Sequence, residues 1–228
     1  MPIVVLNADE GSFDLMVAHR LEPEIYNFRS LAFFSKAVER VGEESYPIHI
    51  KLDTGMHRLG FMEGELDMLT ETLGETPSVK VATIFSHLNC SDMPQEDRYT
   101  REQIARFDRM SGRLAAALPY PVLRHTANSA AIERFPEAQF DMCRLGLGLY
   151  GFGFEHNDEL KPVSTLKSRI VQLKHLSAGE AVGYGRAGKL TRDSVTATVP
   201  MGYADGLDRH LGCGRWSMLV AGRAAPIV

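Results

Sequence analysis

Short apolar runs alternate with amphipathic stretches through the first two-thirds of the chain, and that alternation narrows the possible folds more than any other feature. Residues 2–6, 24–28, 48–52, 80–85, 122–125 and 140–144 read as strands. Residues 30–41, 63–73 and 96–118 read as helices between them. In the first of these helices Leu31, Phe34, Ala37, Val38 and Val41 recur at spacings of three and four, which gathers them on one face. Continuous apolar strands separated by such helices are the pattern of parallel βαβ units.

After Gly151 the texture changes. Residues 168–176, 181–184, 194–200 and 216–221 read as strands divided by Gly- and Asp-bearing turns, with little helical period. The polar stretch Glu155-His156-Asn157-Asp158 and the break at Pro162 mark a boundary. Two domains are expected, an α/β domain over 1–153 and an all-β domain over 163–228.

Six βα units are visible, whereas a closed parallel barrel has eight. The count alone also fits an open, doubly wound sheet. On the barrel reading the six strands are the third to eighth of an incomplete (β/α)8 barrel. The first two units would then lie upstream, implying N-terminal truncation. Two exposed sheet edges would invite pairing with another chain.

A formal net charge of -4 and the lack of a basic cluster speak against nucleic acid or an anionic membrane as partner. No apolar run approaches the ~20 residues that cross a bilayer. Residues 1–6 are too short for a secretory signal. Cys90, Cys143 and Cys213 form no CxxC spacing, which points away from a disulfide framework or metal site and towards a cytoplasmic protein.

Several motifs carry chemistry. HIKLDTGMHRLGF, from His49 to Phe61, delivers Lys51 and Asp53 to the carboxyl end of a strand and then presents Arg58 on a Gly-bearing loop. Carboxyl ends of barrel strands are where catalytic residues gather. A lysine inside such a strand must be paired, neutral or modified, or else extend its amine to the rim. IFSHLNCSD places His87 in the corresponding position. In RHTANSAA, Asn128 and Ser129 either cap a helix or hold a phosphate at its start. CRLGLGLYGFG satisfies G-x-G-x-x-G through Gly146, Gly148 and Gly151. However, it closes the α/β part and is followed by no ribose-binding acid, so a phosphate-binding turn fits better than a dinucleotide site. AVGYG and MGYADG set Tyr184 and Tyr203 beside glycines that permit close backbone approach.

Taken in order, HIKLDTGMHRLGF, SHLNCSD, HTANSAA, RLGLGLYG, VGYG, MGYADG and APIV resemble the alanine racemases over essentially the whole chain. The resemblance implies an α/β barrel followed by a β domain, pyridoxal 5'-phosphate (PLP) as cofactor, a small amino-acid substrate and a homodimer. It implies that Arg144 serves the pyridine nitrogen and that Ser129, Gly146 and Leu147 hold the phosphate, with Asn128 beside them. His87 would flank the ring and support Arg144. Arg58 would meet the substrate carboxylate, and Lys51 matches a lysine often carbamylated in the family. Tyr184 matches an acid/base acting across the dimer, and Tyr203 and Arg209 match residues of the substrate entrance.

The lysine that bears PLP in the family has no counterpart before Pro2, so this chain alone is expected to be inactive. A non-catalytic PLP- or phosphate-binding module, and a racemase of another small amino acid such as serine, are the competing expectations.

Overall fold

The computed structural model describes residues 1–155 and 157–228. His156, within the expected boundary stretch, lies outside the described residues. The chain divides into two compact units, Met1–Val163 and Ser164–Val228.

In the first unit β1 (Val4–Val5), β2 (Glu22–Ile25), β3 (Tyr46–Lys51), β4 (Val79–Phe85) and β5 (Leu123–His125) form one sheet in sequence order. Every neighbouring pair is parallel. A doubly wound sheet reverses its strand order at a switch point and carries helices on both faces. Neither holds here. The helices α1 (Phe13–Ala18), α2 (Phe28–Arg40), α3 (Leu66–Gly74) and α4 (Asp97–Ala117) all pack against the same face of the sheet. Their Phe13, Leu31, Phe34, Leu69 and Phe107 share one core with Ile25, Ile48, Ile50 and Ile84. The unit is therefore an incomplete (β/α)8-type barrel.

The local sequence accounts for these elements. Asn27 caps α2 by accepting the Ser30 amide at 2.7 Å, and the apolar face read from spacing is the buried one. Phe34, wholly buried, meets Phe13 and Tyr46 edge-on at 5.3 and 5.4 Å. Burying a side chain of this size contributes roughly 2–3 kcal/mol.

The register between β3 and β4 shifts between Ile48 and His49: Ile48 lies opposite Val81, but His49 lies opposite Thr83. The extra residue, Ala82, is a bulge that resets the alternation. Val81 and Ile84 can both join the helix-facing core, while Thr83 and Phe85 turn to the other face. That other face is polar and buried, bearing Glu24, His49, Lys51, Thr83 and His125.

Two expectations need correction. The second strand is Glu22–Ile25, not 24–28, because the Asn27 cap forces the chain to turn before Phe28. Residues 140–144 form no strand. Phe140 has φ 47°, and the segment reaches back only through the Asp141 and Arg144 amides to the carbonyls of Arg124 and Ala127, too far apart to build a ladder. The short helices α1 and α5 (Ser129–Arg134) complete the unit, α1 being too brief for its period to stand out in the sequence.

The second unit is all-β. β6 (Gln172–Leu176) pairs with β9 (Ser194–Thr198), β7 (Ala181–Val182) with β8 (Gly188–Lys189), and β10 (Ser217–Val220) with β11 (Arg223–Pro226), each pair antiparallel. The expected strands are present but shorter. β7 stops at Val182 because Gly183 and Gly185 take φ 80° and 66° and bend the chain into a tight turn at Tyr184–Arg186.

Candidate active site at the carboxyl ends of the strands

The loop after β3 is pinned at both ends. Phe61 donates to the Lys51 carbonyl and Asp53 to the Phe61 carbonyl, each at 2.9 Å. The Asp53 carboxylate accepts the amides of Gly55 and His57 at 2.9 and 3.0 Å. Tyr99 donates to the Gly55 carbonyl at 2.8 Å and Arg106 to that of Thr54 at 3.1 Å. Gly60 is required: its φ is +126°, and a Cβ there would stand 2.5 Å from the Asp53 nitrogen. Arg58 is thus offered from an anchored loop with its own side chain exposed. Lys51, buried beneath, places Nζ 2.9 Å from Glu24 Oε1.

Arg144 is the hub of the site. Its Nη1 donates to His125 Nδ1 at 2.6 Å and to the His125 carbonyl at 3.4 Å. Its Nη2 donates to the carbonyls of Ser86 at 2.7 Å and Thr126 at 3.2 Å, and to His87 Nδ1 at 3.3 Å. The Nε–H has no partner among the described residues. Phe85 lies under this cluster, stacked on His125 at 5.1 Å and facing the Arg144 guanidinium at 5.4 Å.

Beside Arg144, the Ser129 hydroxyl accepts the amides of Gly146 at 2.9 Å and Gly148 at 3.3 Å. A Cβ on Gly148 would come within 2.7 Å of Leu145, and one on Gly151 within 2.3 Å of the Lys161 carbonyl. The glycines therefore serve close approach of the chain, with Leu147 between the first two. Asn128 caps α5, accepting from Ala131 at 3.0 Å and from the Ser91 hydroxyl at 2.8 Å.

Burial, reinforced by the charges of Arg144, Lys51 and Arg58, pushes His87 down to about 4. Burial, then Arg144 and His49, takes His125 to about 3. Arg144 is lowered to about 10 by burial and stays charged at neutral pH. The centre is thus a half-buried cation among neutral imidazoles. Such a centre suits a ligand that brings acceptor atoms and negative charge.

Tyr184, Tyr203 and Arg209 belong to the second unit. Tyr184 is 87% exposed, so its phenol is free to meet a ligand or another surface. The Arg209 guanidinium stands 5.9 Å from the centre of the exposed Tyr203 ring.

The sequence reading did not single out His125, Glu24, Glu22, His49 or Thr83. His125 and His49 do stand within motifs, RHTANSAA and HIKLDTGMHRLGF. The others were hidden because a buried polar side chain on a strand has no signature until its cross-strand neighbour is known.

Residues 1–153 match the alanine racemase N-terminal domain and residues 163–228 the alanine racemase C-terminal domain. An alanine racemase of Sorangium cellulosum is 36% identical over 233 residues, covering 100% of this chain and 61% of that protein. The structure of alanine racemase from the D-cycloserine-producing Streptomyces lavendulae aligns with TM-score 0.89 and 28% identity, covering 99% of this chain and 61% of that one. The Bartonella henselae alanine racemase, solved with covalently bound pyridoxal phosphate, aligns with TM-score 0.77 and 25% identity over 99% of this chain and 62% of that one. The chain spans about 60% of the length of the curated relatives it matches. With its parallel strands under one domain model and its antiparallel hairpins under the other, this chain belongs to the alanine racemase family.

Proposed function

We propose that the chain carries the cofactor- and substrate-contacting portion of a PLP-dependent enzyme that interconverts L- and D-alanine. The observation that carries this reading is the Arg144 centre. A guanidinium with four N–H groups committed to the protein keeps Nε–H for an acceptor in the site, and the Ser129–Gly146–Gly148 cradle lies beside it. A pyridine nitrogen and a phosphate fit these two donor groups.

PLP, when bound, draws electrons from the substrate α-carbon. Arg144 Nε would hold the pyridine nitrogen without surrendering its proton, which would leave that nitrogen unprotonated. This favours return of the proton to the α-carbon, and hence racemisation. Ser129 and the backbone of Gly146 and Leu147 hold the phosphate, with Asn128 fixing the turn that presents them. His87, neutral and accepting from Arg144 at Nδ1, keeps its proton at Nε2 beside the ring. Arg58 receives the substrate carboxylate. Tyr184, contributed by the partner subunit of a homodimer, moves the proton on one face of the α-carbon. Tyr203 and Arg209 line the approach. A binding module would have little use for Arg58 and Tyr184. Among the described residues no helix is long and apolar enough to cross a membrane.

The test is a PLP titration of the chain followed by absorbance, with and without borohydride. Saturable binding without a reducible adduct is expected, weakened by Ser129→Ala. Absence of saturable binding would overturn the reading. Competition between L-alanine and L-serine for the PLP-loaded chain would set the substrate.

A further inference from the structure

Four strands carry an unbroken line of hydrogen-bonding side chains away from Arg144. His125 Nε2 lies 3.0 Å from Thr83 Oγ1, Thr83 Oγ1 lies 2.8 Å from His49 Nδ1, and His49 Nε2 lies 2.7 Å from Glu22 Oε2. Strand register explains the line. His49 and Thr83 are direct cross-strand partners. His125 is two residues past Leu123, the partner of Thr83, and Glu22 is two before Glu24, the partner of His49. Residues two apart on a strand share a face, so all four side chains lie on the polar side of the sheet.

The direction of every bond follows from its ends. Arg144 only donates, so His125 Nδ1 must accept and its proton sits on Nε2. That proton goes to Thr83. The single hydroxyl proton of Thr83 then goes to His49 Nδ1, and His49 Nε2–H goes to the carboxylate of Glu22. We propose that Glu22, acting through His49 and Thr83, is a positioning residue that fixes the tautomer of His125 and thereby the orientation of the Arg144 guanidinium. Burial lowers both His125 and His49, which keeps the imidazoles neutral as the directed line requires. Glu24 takes no part, since its carboxylate is engaged by Lys51 and by the Asn7 amide.

The consequence for Arg144 rests on its proposed role at the cofactor, but the relay itself is tested without cofactor. In the 15N-histidine-labelled chain, long-range 1H–15N spectra should show both His49 and His125 as neutral Nε2–H tautomers. Thr83→Val, which keeps shape and removes the hydroxyl, should admit the second tautomer of His125. It should also speed exchange of the Arg144 Nη protons about tenfold, the effect of one lost hydrogen bond. Glu22→Leu should do the same, whereas Glu22→Gln, whose carbonyl still accepts, should preserve the wild-type tautomers. An Nδ1–H tautomer at either histidine in the unsubstituted chain would overturn the proposal, as would unchanged spectra in Thr83→Val. A PLP titration of the same samples separates the two ideas: wild-type tautomers as expected, with no PLP binding, would sink the cofactor reading and leave the relay standing.

Discussion

The amine of Lys51 lies 2.9 Å from the carboxylate of Glu24, with the two side chains only 8% and 1% exposed. This pair bears on whether Lys51 is modified. A carbamate on Lys51 would set a second buried anion against Glu24, and like charges at such range oppose one another. The chain is expected to carry unmodified Lys51, and Glu24→Gln to gain a carbamate resonance when supplied with 13C-bicarbonate. A strong resonance before substitution would show that Glu24 moves aside.

Ser129 joins α5 to the turn at Gly146 and Gly148 through one hydroxyl. Ser129→Ala should raise the dissociation constant for PLP about tenfold, the worth of one hydrogen bond to a charged group. The absorbance maximum of the bound cofactor should not move, because the pyridine contact at Arg144 is untouched.

The depressed histidines give stability a defined pH dependence. His87 at about 4 and His125 at about 3 both lie below the ordinary value of 6.5, so between these limits the unfolded chain binds more protons than the folded one. Stability therefore rises with pH across that window and is complete above about 6.5. Urea denaturation at pH 4.5 should show up to roughly 5 kcal/mol less stability than at pH 7.5. His125→Gln should flatten the slope. A slope of opposite sign would mean that neither imidazole is buried neutral.

Gly60 combines φ +126° with backbone 2.5 Å from where a Cβ would stand. Gly60→Ala should cost about 2–4 kcal/mol by strain and displacement of the Phe61–Lys51 link. It should loosen Arg58 as well, visible as faster proteolysis within residues 53–61. Gly74→Ala, where nothing lies within 4 Å, is the control and should be nearly silent.

Much of the scaffold was legible. The spacing of Leu31, Phe34, Ala37 and Val38 marks a helix face that is indeed the buried one, and HIKLDTG marks a strand that delivers Lys51 and Asp53 to its carboxyl end. The strand at 24–28 was misplaced because EPEIYNF has no strong apolar boundary and the Asn27 cap decides where the turn falls. The strand at 140–144 failed because apolar content says nothing about whether a neighbour is in register to pair. For the site, Arg144, Ser129 and the glycines could be named from motifs, but the partner that grips Arg144 most closely, His125, could not.

Local periodicity and turn chemistry fix the order of elements, the change from α/β to all-β texture and the residue types offered at each strand end, and all three can be read along the chain. Folding in three dimensions sets the strands in sequence order with helices α1 to α4 on one face. It also sets Glu22, His49, Thr83 and His125 in one line, and Lys51 against Glu24. Those contacts join residues 27 to 42 positions apart on separate strands, and they depend on cross-strand register, including the bulge at Ala82. Register is set by how every side chain of the sheet packs at once, and no local stretch of sequence encodes it.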